Sequence, residues 1–131
     1  MSFKARRRDM PTQSTVYVIL RQIVKASIFN ASVTANTNIL SQSVTPSQVL
    51  SGYCSIFRIQ CCFDTAGVLS LVRTKSGVTV TEQLNSGSSL SANCLYVFDF
   101  LVEPDESINL QYSVNAIAKE LKVVETAGLI T

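Results

Sequence analysis

The stretch that decides the fold is residues 67–114, GVLSLVRTKSGVTVTEQLNSGSSLSANCLYVFDFLVEPDESINLQYSV. Apolar runs alternate there with turn signals at Lys75-Ser76-Gly77, Asn85-Ser86-Gly87 and Glu103-Pro104-Asp105. Gly and Asn tolerate the positive φ of tight turns, and Pro pre-sets a turn position. Between the turns the spacing is two. Ile108, Leu110, Tyr112 and Val114 alternate with Ser107, Asn109, Gln111 and Ser113. Val78, Val80 and Leu84 share a parity broken only by Glu82, and Cys94, Tyr96, Phe98, Phe100 and Val102 form another one-sided row. Successive strand side chains point to opposite faces, so each run has one face to bury. Several short strands with regular turns predict an all-β fold, a single antiparallel β-sandwich or barrel.

Working outward, residues 68–74 and 77–84 read as one hairpin, and residues 94–103 and 107–114 as a second. Residues 53–63 read as a strand with Tyr53, Phe57, Ile59, Cys61 and Phe63 on one face, interrupted by Ser55. Residues 117–125 are the last strand, with Ile117, Leu121 and Val123 on one side. Residues 31–51 are rich in Ser, Thr, Asn and Gln, with one strand expected at 38–42. Residues 15–29, TVYVILRQIVKASIF, are ambiguous. Val16, Ile19, Leu20, Ile23 and Val24 fit a helical face that Thr12 or Ser14 would cap, whereas the β-branched composition favours strand. Strand is favoured for 24–33, and a short N-terminal helix stays open before it. A basic amphipathic helix there would meet a membrane or a partner, although such a face more often packs on its own domain. Ser32-Val33-Thr34-Ala35-Asn36 echoes Ser89-Leu90-Ser91-Ala92-Asn93. Chance explains five residues well enough. Equivalent corners in the two halves of a jelly roll or Greek key are the other reading.

A chain of 131 residues is long enough for one real core. The organisation expected is a flexible basic arm over 1–14, a β-sandwich domain over 15–126 and a short tail over 127–131. Charged side chains make up only 15% of the chain, so much of the surface is neutral and polar. Such a surface either meets water or packs against copies of itself. The charge is unevenly placed. Residues 1–25 carry Lys4, Arg6, Arg7, Arg8, Arg21 and Lys25 against Asp9 alone, a balance of +5. The remainder carries five basic and eight acidic side chains, a balance of −3. The basic start lacks the uninterrupted apolar stretch of a secretory signal or a membrane span, because Arg21, Gln22 and Lys25 break it.

Catalysis is not expected. The chain has no histidine, which removes the commonest general base and transition-metal ligand and excludes Ser-His-Asp and Cys-His machinery. There is no phosphate-binding Gly loop. Glu103, Asp105 and Glu106 form a turn cluster of oxygen ligands, but without EF-hand spacing a solvated turn is the default and no metal or cofactor is expected. Asp64 is a further carboxylate, and the parity of Asp99 sets it opposite the aromatics of its run, on the outer face. Cys54, Cys61, Cys62 and Cys94 show no CxxC spacing. Buried thiols are favoured for them, with one disulfide to Cys94 or to another chain as the alternative. The motif with a function to argue is Lys4, Arg6, Arg7 and Arg8. Such an arm binds polyanions by counterion release or contacts an acidic subunit, and a solvated terminus weighs as much as both together.

The alternation VLSLVRT, TVTEQLNSG, LSANCLYVFDF and ESINLQYS, with NASVTANTNILSQSVTPSQ upstream, resembles small β-sandwich modules of virion structural proteins. The chain as a whole is similar to nozzle-type tail proteins of spindle-shaped archaeal viruses. The resemblance implies a structural, non-enzymatic tail subunit in the virion, assembled in the host cytoplasm. It implies a homo-oligomeric ring around the genome exit channel, contacting adaptor and spike proteins, with viral DNA passing the basic arm. The competing reading is a receptor- or carbohydrate-binding β-sandwich of a spike. Tyr53, Tyr96 and Tyr112 read as core, which leaves Tyr17 as its main free aromatic.

Overall fold

The computed structural model describes residues 17–47 and 55–130, with the backbone alone at 17–21 and 127–130. The basic arm, Tyr53 and Cys54 lie outside the described residues. Among the described residues seven strands follow one another: β1 (Tyr17–Val33), β2 (Ser55–Phe63), β3 (Leu69–Lys75), β4 (Val78–Gln83), β5 (Tyr96–Val102), β6 (Glu106–Tyr112) and β7 (Ala116–Ile130). One antiparallel sheet has the order β1-β7-β2-β5, the other β4-β3-β6. The two pack face to face, and the inward rows of both form one core. Phe57, Ile59, Cys61 and Phe63 from β2 meet Leu69 and Leu71 from β3 and Ile108, Leu110 and Tyr112 from β6. The Phe63 and Tyr112 rings stack across the sheets, with centroids 3.9 Å apart and planes 11° apart. Tyr112 lies wholly inside, and its hydroxyl donates to the Thr65 carbonyl at 2.7 Å. Burial pushes that phenol up to about 12. Gly67 is required beside it, because a Cβ there would meet the Tyr112 ring and Val114 at 2.9 Å.

The β3–β4 hairpin forms as expected, its turn made by Ser76 and Gly77 with φ of 52° and 79°. Two left-handed residues give the turn twist that matches the twist of the flanking strands. The second expected hairpin does not form. β5 pairs with β2 and β6 with β3, so the Glu103-Pro104-Asp105 turn carries the chain from one sheet to the other. The side chain of Glu106 holds that crossing: its Oε1 accepts from the Glu103 N–H at 3.0 Å and from Arg73 at 3.1 Å.

No helix forms over the described part of residues 15–29. β1 is a strand from Tyr17, paired along its length with β7. The β-branched content prevails over the helical spacing because the long partner strand pairs one side of the backbone along the segment, with register shifts between Ile19 and Arg21 and between Val24 and Ala26. β7 itself continues past Glu125 to Ile130, opposite Tyr17. Its inward row also changes parity. Ala116 and Ala118 are buried together with Leu121 and Val123, while Ile117 is only half-buried. A register shift between Cys62 and Phe63 against β7 marks the extra residue that causes this.

The strand expected at 38–42 is instead a hydrogen-bonded cover on β6. The N–H groups of Asn36, Ile39 and Val44 donate to Tyr112, Leu110 and Ile108 at 2.7, 2.8 and 3.0 Å. Between the last two the chain loops out, and the Asn109 side chain fills the missing rungs. Its Oδ1 accepts from Leu40 N–H at 3.0 Å, and its Nδ2 donates to the Leu40 carbonyl at 3.1 Å.

The five-residue echo is structural. Val33 and Leu90 are both buried, and Asn36 and Asn93 are both left-handed, with φ of 57° and 61°. Each Asn N–H then donates at 2.7 Å to a carbonyl of the stacked pair, Asn36 to Tyr112 and Asn93 to Phe63.

Candidate assembly surface

The two outer strands of the three-stranded sheet are finished differently. β6 is covered by residues 36–44, whereas β4 has no partner on its outer side among the described residues, and every residue of it is exposed. Val78 and Val80 lie opposite Lys75 and Arg73, on the side that faces the other sheet. The sequence places them in a buried row, yet they stand 64% and 53% exposed. β4 overhangs the core there, and only Leu84 at its end packs on it.

The overhang forms a notch of about 450 Å³ lined by Arg73, Lys75, Ser76, Val78, Val80, Glu82 and Glu106. Arg73 has the parity of Leu69 and Leu71 and so enters from β3 toward the other sheet. Its guanidinium sits 5.5 Å from the Phe100 ring centroid, donates to the Leu101 carbonyl at 2.8 Å and pairs with Glu106. Its Nε lies 3.0 Å from Glu82 Oε2 but makes no hydrogen bond, which leaves that ion pair poorly aligned. Lys75 pairs with Glu103 and lies 3.8 Å from Asp105. Those carboxylates hold the ammonium above its usual range, with the Glu103 hydrogen bond the chief cause. Glu82 and Glu106 balance Arg73 and Lys75 in the lining, and Glu103 and Asp105, beside Lys75, make the surroundings acidic. Val78 and Val80 are the apolar part of the lining.

On the opposite side, a cleft of about 470 Å³ runs between Lys25–Ile28 and Leu40–Thr45. Below it Glu125, 1% exposed, accepts from the Ser47 N–H at 2.8 Å and from the Ser55 hydroxyl at 2.8 Å, with Lys25 Nζ 3.6 Å away. This carboxylate joins residues 47 and 55 to β7. Serving backbone and hydroxyl donors, it is a structural anchor below a cleft lined, among the described residues, by aliphatic and hydroxyl side chains with Lys25 and Gln42.

Asp99 lies on the outer face as its parity predicts, where Arg58 binds it through both oxygens at 2.8 and 3.0 Å. The Arg58 hydrogen bond holds the Asp99 carboxyl below the usual carboxylate range. Asp64 is held low as well, chiefly because the Ile117 N–H donates to its Oδ1 at 2.7 Å. Cys61, Cys62 and Cys94 carry free thiols. Cys61 is buried, which pushes its thiol up to about 12, and Cys62 turns to the other face. Cys94 is exposed although its parity sets it in the aromatic row, because β5 begins only at Tyr96. Tyr96 is half-buried, its hydroxyl accepting from Ser91 N–H at 2.9 Å.

The sequence reading missed Arg73, Glu106 and Glu125 as organising groups. All three have the parity of buried neighbours, and a charged residue in an inward row is the signal that marks them. Among the described residues, no group of three His, Cys, Asp or Glu is placed to hold a metal, and no helix is long and apolar enough to cross a membrane.

Fold and surface together define a two-sheet antiparallel β protein in which, among the described residues, one edge of the three-stranded sheet is covered and the other is open. No protein-family model and no curated protein matches the chain.

Proposed function

We propose that the chain is a virion structural subunit, a tail nozzle protein that repeats around the genome exit channel as a homo-oligomeric ring, with a body that is a jelly-roll variant. The observation that carries this reading is the bare β4 edge with its apolar notch. Natural sheets blunt their edges, and an unblunted one is a template for another chain. Val78 and Val80 are 64% and 53% exposed, so burying the remainder against a neighbour would contribute about 1–2 kcal/mol each. The acidic surroundings of the notch are opposite in sign to Lys4, Arg6, Arg7 and Arg8, so the arm of one copy is suited to cross onto the next. Such a head-to-tail contact closes into a ring when its rotation permits. Arms not engaged at the rim would face the DNA. Adaptor and spike proteins would meet the two ends of the ring.

The test is the mass of the full-length protein by light scattering at low and high salt, with electron microscopy of the largest species. A discrete closed oligomer that weakens with salt is the expected result. A monomer at every concentration and salt, alone and with the other tail proteins, overturns the reading.

A further inference from the structure

A second apolar surface lies away from the β4 edge, on the outer face of the four-stranded sheet. Cross-strand partners share a face, so the register lays out its rows. Leu101, Ile56, Thr126 and Gln22 form one row, and Asp99, Arg58, Val124 and Val24 the next. Val97, Gln60 and Lys122 follow. Leu101, Val24, Val97 and Ile56 are 58%, 56%, 47% and 39% exposed. In a strand sequence these are the positions where polar residues ordinarily meet water. Within the first two rows the charged groups are Arg58 and Asp99, bound to each other through two hydrogen bonds.

We infer that this face docks on the same face of a second copy of the chain, about a two-fold axis passing midway between Arg58 and Asp99. A two-fold contact joins a patch to itself, so the patch must be its own complement. About that axis β2 of each copy lies on β5 of the other, so Ile56, Leu101 and Val97 are the apolar groups joined, while Val24 on the far strand lies beyond the contact. A lone Arg or a lone Asp at the centre would meet its like, and like charges in an interface cost several kcal/mol. A neutral pair escapes this. The rotation sets Arg58 of one copy on Asp99 of the other and the reverse, so each guanidinium has two carboxylates in reach. A partner selected by net charge finds nothing to attract it, because the pair sums to zero. The contact uses none of the β4 residues and is independent of the ring.

The experiment uses the full chain carrying Val80→Lys, which removes the edge contact. In that background we compare the unaltered face, Arg58→Asp alone, Asp99→Arg alone, and an equimolar mixture of the last two with one isotope-labelled. The readout is native mass spectrometry together with sedimentation at low salt. The unaltered face should give a dimer. Each single variant sets like charges on like and should weaken it by at least about tenfold. In the mixture one chain is acidic at both positions and the other is basic at both. Every central contact then joins opposite charges, so a one-to-one heterodimer should reappear. Two results each overturn the proposal: single variants that pair as tightly as the unaltered face, or a mixture that yields no heterodimer. Thermal unfolding of each variant checks the fold. Should a charge variant fail to fold, Leu101→Lys at an exposed position replaces it, and a dimer that survives that change also overturns the proposal.

Discussion

The two edges of the three-stranded sheet began as the same physical problem. Each is an outer strand of six or seven residues with free N–H and C=O groups. β6 is sealed by the chain's own residues 36–44, fixed by backbone bonds to Ile108, Leu110 and Tyr112 and by the Asn109 side chain. β4 is left open, with two valines on its inward side and acidic surroundings. Within this sheet, among the described residues, one edge is closed and the other is open. The difference separates self-sufficiency from readiness to assemble: substitutions at the sealed edge should cost folding, and substitutions at the open edge should cost association.

The largest effect is expected at the cover itself. Leu40 is 4% exposed and belongs to the core, so Leu40→Ala should destabilise by about 2–5 kcal/mol in denaturant unfolding. Next comes Asn109→Ala, which leaves the Leu40 N–H and carbonyl buried without their partners; about 1–3 kcal/mol is expected from the same measurement. Preserved stability in both variants would mean that β6 is not sealed in this way.

Asp64 sits at the corner where β2 ends and receives the Ile117 N–H. Its folded carboxyl lies below the unfolded value of about 3.9. Its contribution is then fully present above that value and is lost as pH falls through the folded one. Asp64→Ala should lower the unfolding midpoint at pH 7, and the gap to the parent chain should close below about pH 4. A gap that stays constant into acid would remove the carboxylate from the explanation.

The smallest change in stability should come from the open edge. Val80→Lys removes nothing from the core and should stay within about 0.5 kcal/mol. In light scattering the same variant should lose the large species, because edge lysines are what natural sheets use to prevent pairing. Equal loss of stability at Val80 and Leu40 would erase the distinction between the edges.

Local physics explains what could be read ahead of the structure. The turn chemistry of Ser76-Gly77 announced the β3–β4 hairpin, and alternation located most inward rows. Periodicity is a one-strand property, however. It reports which side a residue takes and says nothing of whether another sheet reaches over it, so Val78 and Val80 read as core. The pairing of β5 and β6 escapes it for a related reason. A short turn looks alike whether it joins neighbours or crosses between sheets, and here Arg73 and Glu106 determine which. The parity change in β7 needed the extra residue near Lys119, which no composition signal marks. Asp99 was legible because alternation is a short-range rule, whereas the Asn36 and Asn93 corners showed only as a five-residue echo that chance explained well enough. The arm residues Lys4, Arg6, Arg7 and Arg8 and Cys54 lie outside the described residues.

Cys61 and Cys62 are neighbours in sequence on opposite faces of one strand, the first sealed in the core and the second half-buried. With its thiol pushed up to about 12, Cys61 has almost no nucleophilic form at neutral pH while the strand stays paired. A disulfide reagent will take the exposed Cys94 at once and must wait for β2 to part from its neighbours before it reaches Cys61. The ratio of those two reaction rates is a clock built into the chain: it counts how often the centre of the molecule breathes, in the isolated subunit and again once copies have come together.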